Sequence, residues 1–361
     1  MAVTLWSPDR VSGDLPLQRS GSSGLGTPNA SQDKKLAIGL LNNMPDSALE
    51  ATERQFISLL GAASDSFSIE LSLLAMPGIP RGEVALRRIQ ERYVSTELLD
   101  ELKLDGLIVT GREPLTPNLS DEPYWASFVQ VLEYARENTF STIWSCLAAH
   151  AAVLHMDGIK RVRSDEKHCG VFECTAIAEH PITKNVPKQY RLPHSRWNGL
   201  PEAELSRCGY EVLTRASSAG VDSFIRQSNQ RSLFLFFQGH PEYEPDTLLL
   251  EYRRDVNRFL KGEASRYPNV PAGYFEESTL KELDEIRRDI PVRLPQETMV
   301  HLDRVLSRAR AANGWHATAM TIYRNWLEYM AIQKKPAAVI QRPGRRMSNL
   351  PVAEPVRAAI R

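Results

Sequence analysis

Short apolar runs, each separated from the next by a helical stretch rather than a tight hairpin turn, are the feature that most constrains this chain. They lie at 36–41, 69–74, 107–111, 141–144 and 233–237. A strand apolar on consecutive residues is buried on both faces, which requires cover above and below the sheet. The intervening segments supply that cover. Leu49, Phe56, Leu59 and Leu60 share one helical face, and 82–104 is charged and helical. The stretch 121–138 groups Phe128, Val131, Leu132 and Ala135, and Leu248, Leu249, Tyr252, Val256 and Leu260 follow the last run at helical spacing. Strands alternating with helices predict an α/β fold, a parallel-sheet-centred sandwich with helices on both faces. Chemistry in such sheets gathers at the C-terminal strand ends. Gly111, Cys146 and the residues after Phe237 are therefore expected along one edge.

The 361 residues suffice for one large domain with additions. Residues 1–34, rich in Ser, Gly, Pro and Asp, are expected to form a disordered arm. A catalytic domain is expected over 35–262, a helical C-terminal extension over 263–333, and a disordered basic tail over 334–361. The segment 160–235 has no clear period. Lys and Arg number 44, as do Asp and Glu, so the balance excludes a basic nucleic-acid binder. No apolar run is long enough to span a bilayer, and no signal-peptide pattern is evident at the N-terminus. Cys146, Cys169, Cys174 and Cys208 are too sparse for a disulfide framework and suit a reducing, cytoplasmic setting. Cys169 and Cys174 lack zinc-knuckle spacing, with no second Cys or His pair to complete four ligands, so no metal site is expected.

Cys146 stands between the run at 141–144 and an Ala-rich helical stretch at 147–154. A thiol at such a turn meets the positive end of a helix dipole and free backbone N–H groups, which favour thiolate and suit a developing oxyanion. The plain alternative is a small buried hydrophobe, the usual state of a free cysteine. Position alone leaves the two even. A cysteine nucleophile needs a base, and the base needs an orienting group. His240 follows a later buried strand and should emerge at the same edge, and Glu242 could reach its ring across Pro241. Alone, His240 reads better as a structural turn residue and Glu242 as a solvated acid or helix cap. Together with Cys146 they form a Cys-His-Glu arrangement. His150 and His168 are rival bases, read as structural or supporting residues, and Cys169 and Cys174 as packing residues.

The elbow cysteine with His-Pro-Glu downstream resembles the class I glutamine amidotransferase-like fold. More closely, the chain is similar to the homoserine O-succinyltransferase family of acyltransferases. The resemblance is carried, in order, by Leu41-Asn42-Asn43-Met44-Pro45, Asp105-Gly106-Leu107-Ile108-Val109-Thr110-Gly111, Tyr124-Trp125, Ser141-Thr142, Glu166-Lys167, Gly170-Val171, Pro193-His194-Ser195-Arg196, Gly239-His240-Pro241-Glu242-Tyr243 and Glu251-Tyr252 with Arg254-Asp255. It runs from about residue 36 to 262 and fades afterwards, apart from Val270-Pro271 with Tyr274-Phe275, and Asn325-Trp326-Leu327. It implies a ping-pong transfer in methionine biosynthesis: Cys146 takes an acyl group from acyl-CoA, a co-substrate rather than a cofactor, and passes it to the homoserine hydroxyl. His240 would be the general base and Glu242 its orienting partner. Lys167, Ser195 and Arg254 carry over as amino-acid-binding positions. Their types suit the task, since Arg254 can clamp a carboxylate bidentately, Lys167 adds a point charge and Ser195 a hydroxyl. The resemblance also implies a homodimer, which nothing in the residues shows.

The chain departs from the family at 46–51, at 112–117 and after 275. The loop 112–117 falls where the family's acyl pocket is bordered, with Leu115 at the position that goes with donor choice. Leu115 lacks a charge that would repel a succinyl carboxylate, its bulk narrows the pocket, and Arg112 could pair with that carboxylate. The expectation leans to succinyl. Alternatives are transfer to serine or a related amino alcohol, a glutamine amidohydrolase, or a non-catalytic binding module of the same fold. The residues around Cys146, Trp144 and Ala148 rather than glycines, disfavour the amidohydrolase.

Overall fold

The computed structural model describes residues 3–6, 35–228, 232–290, 294–310 and 312–335. The arm and tail expected to be disordered fall outside these residues at 7–34 and 336–361. The strands are β1 (Val3–Leu5), β2 (Lys35–Leu41), β3 (Ser68–Ala75), β4 (Val94–Ser95), β5 (Gly106–Val109), β6 (Ser141–Ser145), β7 (Val162–Ala176), β8 (Gln189–Gly199), β9 (Glu211–Ala216), β10 (Gly220–Ser228) and β11 (Ser232–Phe237). The helices are α1 (Asp46–Ala63), α2 (Glu83–Arg92), α3 (Leu99–Leu102), α4 (Trp125–Asn138), α5 (Leu147–Asp157), α6 (Glu202–Arg207), α7 (Thr247–Leu260), α8 (Glu277–Asp289), α9 (Pro295–Arg308) and α10 (His316–Lys334). One sheet runs β1-β3-β2-β5-β6-β11-β10-β9-β7-β8, with β4 beside β3.

From β1 to β11 the neighbouring strands are parallel, as the buried runs predict. The remaining strands, β10, β9, β7 and β8, form an antiparallel wing. This wing occupies the segment that carries no clear period in the sequence. Charged residues on β7, such as Arg163, Asp165 and Glu166, sit where a buried strand would be apolar, because this part of the strand is largely exposed. Pro193 lies within β8, where a proline is tolerated because β8 is an edge strand. Val3–Leu5, expected within the disordered arm, instead pairs with β3 as an edge strand.

Smaller departures have local causes. The stretch 82–104 divides into α2, β4 and α3, with Lys103 in the left-handed region closing the last helix. Helix α4 begins at Trp125 rather than at 121, since Pro123 and a turn at Leu119–Asp121 precede it.

Helices cover both sheet faces. Phe128, Val131 and Leu132 of α4 and the alanines of α5 pack on one face with Trp144 and Phe236. Phe56, Leu59 and Leu60 of α1 pack on the other with Trp326, Leu327 and Met330 of α10. The last helix of the C-terminal helical region is a wall of the core. Trp326 is fully buried and donates its indole N–H to Ser141 Oγ at 2.9 Å. Asn325 donates to the Ile182 carbonyl at 2.9 Å. Lys334 donates to Asp105 Oδ2 at 2.7 Å. Helices α7, α8 and α9 build a third apolar cluster beside the wing. Among the described residues no helix is long and apolar enough to cross a membrane.

Trp326→Ala removes a large side chain from a closed site and leaves the Ser141 hydroxyl without its donor. The expected loss of stability is about 3–5 kcal/mol, read as a lowered urea midpoint at unchanged slope.

Candidate active site

The site begins with a backbone conformation. Cys146 has φ 53° and ψ −114° between β6 and α5. A non-glycine residue there costs on the order of 1–3 kcal/mol, and surrounding contacts must hold it. The Cys146 N–H donates to the Phe237 carbonyl at 2.7 Å, and the N–H groups of Ala149 and His150 return to the Cys146 carbonyl. This sharp turn lifts the thiol clear of the strand end. Leu147 opens α5, so its N–H has no acceptor within the helix. Gly111 makes this end accessible: a Cβ there would lie 2.6 Å from Leu147 N.

The register of β6 against β11 pairs Ser145 with Phe237, so the turns after both strands leave the sheet side by side. His240 follows in the second of them and is held by its own N–H on the Pro193 carbonyl at 2.8 Å. Its Nδ1 lies 2.8 Å from Glu242 Oε1, which leaves Nε2 for the Cys146 side chain. Tyr243 stacks on the ring at 4.2 Å between centroids. Both His240 and Glu242 are buried. Burial alone would depress the imidazole, yet the Glu242 carboxylate and the Cys146 thiol hold it well above its usual value. The geometry is that of a nucleophile, a base and an orienting acid.

The other histidines have different surroundings. His150 turns behind α5, bonds Gln238 at 2.9 Å, and burial pushes it down to about 3. His168 bonds Ser164 at 3.0 Å, and burial, with Arg196 nearby, lowers it. Cys169 and Cys174 are buried, and burial raises both thiols, Cys169 to about 11. Cys174, His194 and Asp222 bring three potential ligand atoms together. All three residues have protein partners: the Cys174 thiol donates to the Phe172 carbonyl at 3.7 Å, Arg196 Nε faces His194 Nδ1 at 3.4 Å, and Thr214 donates to Asp222 at 2.7 Å. They also back the turn that carries His240, since a Cβ on Gly239 would lie 2.6 Å from Asp222 and 3.0 Å from His194.

Lys167 of β7, Ser195 of β8 and Arg254 of α7 are distant in sequence but meet around two acids of α7. Lys167 Nζ lies 2.8 Å from Asp255 and 3.9 Å from Glu251. Ser195 donates to Glu251 Oε2, and Tyr243 donates to Glu251 Oε1 at 2.7 Å. Arg254 contacts Asp255 at 2.9 Å with its side chain still partly open to solvent. Burial would lower Lys167, but Glu251, Cys169 and Asp255 hold its ammonium above the usual value. Sequence reasoning assigned no role to Glu251, Asp255 or Tyr243. The available signal was the spacing of Glu251 and Asp255, which are neighbours on one helical face.

The loops flagged as departures are also placed. Asp46 opens α1 and accepts the Gly82 N–H at 2.7 Å. In the loop after Gly111, the Leu115 and Thr116 N–H groups both donate to Glu122 Oε1, at 2.7 and 2.8 Å. This turns the Leu115 side chain outward, half exposed, so it does not narrow a pocket as expected. Arg112, by contrast, lines a cavity with Gly111, Tyr124 and Leu147.

Glu242→Gln removes the carboxylate that raises His240, so the ring's pKa should fall; imidazole 15N shifts across a pH series report it. Protonated His240 adds stability that is complete below its unfolded value of 6.5 and is lost as pH rises through the raised folded value. The variant should lose that contribution over this window.

A family model described as homoserine O-succinyltransferase matches residues 26–337. The chain is 44% identical over 296 residues to a homoserine O-succinyltransferase of Rhodopseudomonas palustris, covering 82% of this chain and 88% of the relative. It is 42% identical over 299 residues to one of Methylorubrum extorquens, covering 81% and 87%. Among solved structures it is similar to a glutamine amidotransferase from Methylobacillus flagellatus, with a TM-score of 0.44 and 14% identity over 82% of this chain and 95% of that one. The chain thus belongs to the homoserine O-succinyltransferase family.

Proposed function

We propose that this protein transfers a succinyl group from succinyl-CoA to the hydroxyl of homoserine, a step in methionine biosynthesis, through a thioester on Cys146. The observation that carries the reading is the His240 ring held between the Cys146 thiol and the Glu242 carboxylate, in a chain of this family. The Cys146 thiolate attacks the thioester carbonyl carbon, and the Leu147 N–H faces the oxygen that gains charge. The carbon–sulfur bond to CoA breaks, and the departing thiolate takes the proton held by His240. The freed imidazole then removes the homoserine hydroxyl proton as that oxygen attacks the acyl-enzyme. Collapse returns the Cys146 thiolate and the protonated ring. Glu242 favours the charged imidazole in both halves.

The cluster on α7 suits the acceptor. Arg254 and Lys167 offer cationic partners for the amino-acid carboxylate, while Glu251 offers an anionic partner for its ammonium. Tyr243 connects the two halves, stacking on His240 and bonding Glu251. Holding the acceptor here brings its hydroxyl to the base and supplies the positional advantage of an intramolecular reaction.

Incubation with succinyl-CoA and no acceptor should raise the intact mass by one succinyl group, with Cys146→Ala showing no adduct and at least about 10⁴-fold lower turnover. An unmodified wild-type protein that still turns over would exclude the acyl-enzyme. Arg254→Ala should raise KM for homoserine by roughly 10–100-fold, while CoA release in the first half-reaction stays near the wild-type rate.

A further inference from the structure

We propose that Arg161, acting with Arg112, forms the subsite that receives the terminal carboxylate of the acyl donor. This rests on the reading of Cys146 as the acyl carrier and names what selects the acyl group. The sequence pointed only to Arg112. Arg161 enters from the chain after α5, and Arg112 from the loop after β5.

Arg112 lines the cavity bounded by Gly111, Tyr124 and Leu147, beside the elbow that carries Cys146. Its guanidinium lies 5.7 Å from the Tyr124 ring centroid. Its Nε is directed at the Glu113 carbonyl at 3.3 Å. Arg161 reaches the same corner, donating Nη2 to the Pro117 carbonyl at 3.1 Å. It interacts electrostatically with Glu122, Tyr124 and Cys146. Each guanidinium keeps one buried nitrogen, Nη1, with no hydrogen-bond partner among the described residues. A buried charged donor left without an acceptor is costly, and two in one corner mark a place where an acceptor is missing.

The surrounding charges favour an anion. Glu113 is engaged with Arg258 at 3.2 Å. Glu122 uses one oxygen to hold the Leu115 and Thr116 N–H groups and keeps the other buried without a hydrogen-bond partner, so a single carboxylate faces the two guanidinium groups. Arg163, which adds repulsion to Arg161, stacks on Trp197 at 4.5 Å. The balance is a surplus of positive charge beside an acyl pocket. A succinyl group carries its carboxylate on a short arm from the thioester carbon and fits that surplus, whereas an acetyl or butyryl group brings nothing to pair with it. Leu115 is half exposed and is not among the residues that line this cavity.

The test compares succinyl-CoA with butyryl-CoA, whose acyl chain is nearly isosteric but uncharged, in the wild-type protein and in Arg161→Gln, Arg112→Gln and Arg161→Lys. The readout is the ratio of kcat/KM for the two donors, which cancels any loss of folded protein. The ratio should fall about 10–100-fold in Arg161→Gln and Arg112→Gln, the range for removing a charged hydrogen-bonding partner, and by less in Arg161→Lys. An unchanged ratio in Arg161→Gln, with the wild type still favouring succinyl-CoA, overturns the proposal alone. A wild type that takes an acyl group from neither thioester overturns the parent reading and this proposal with it.

Discussion

The parallel pairing of β6 with β11 governs the site. Both strands are fully buried, so their register is strongly specified by the helices on either face. Pairing Ser145 with Phe237 brings the Cys146 turn against the end of β11, and the Cys146 N–H closes on the Phe237 carbonyl. The left-handed backbone at Cys146 is tolerable because this bond and the first turn of α5 hold it from both sides. His240 then needs only a short loop to face the thiol. A slip of one residue in this pairing would reverse the faces of β11 and carry His240 away from Cys146.

The loop that carries His240 is held from regions remote in sequence. Trp315, just before α10, donates its indole N–H to the Tyr243 carbonyl at 2.8 Å. Tyr274 donates to the Pro245 carbonyl. Pro193 of β8 accepts the His240 N–H. The C-terminal helices and the antiparallel wing thus position His240 as directly as the parallel core positions Cys146. The wing also brings Lys167 and Ser195 to the acids of α7, joining His240 to the polar cluster through Tyr243.

Much of this was legible in the chain. Buried parallel strands announce themselves as consecutive apolar residues, and Cys146 and His240 follow two of them, so their common edge could be read directly. Leu49, Phe56, Leu59 and Leu60 marked α1 because burial on one helical face imposes its spacing. The wing was not legible: its strands are half exposed or carry charges, and antiparallel partners leave no local period strong enough to read. Nor was the part played by α10. Its helical pattern is visible, but a helix buried around much of its surface shows little contrast between faces, and nothing local says which sheet it covers.

The residue types at the elbow, the spacing of His240 and Glu242 and the alternation of strand and helix were determined by the sequence alone, because each depends on neighbours within a few positions. Tertiary structure decided what depends on distant partners. It turned Leu115 outward on Glu122, gathered Lys167, Ser195 and Arg254 around Glu251 and Asp255, and brought Arg161 and Arg112 both to the surroundings of Tyr124. Charge pairing and hydrogen bonding act over a few ångströms in space, whatever the separation along the chain. Which charges meet is therefore settled only once the sheet has closed and its loops have been drawn to one edge.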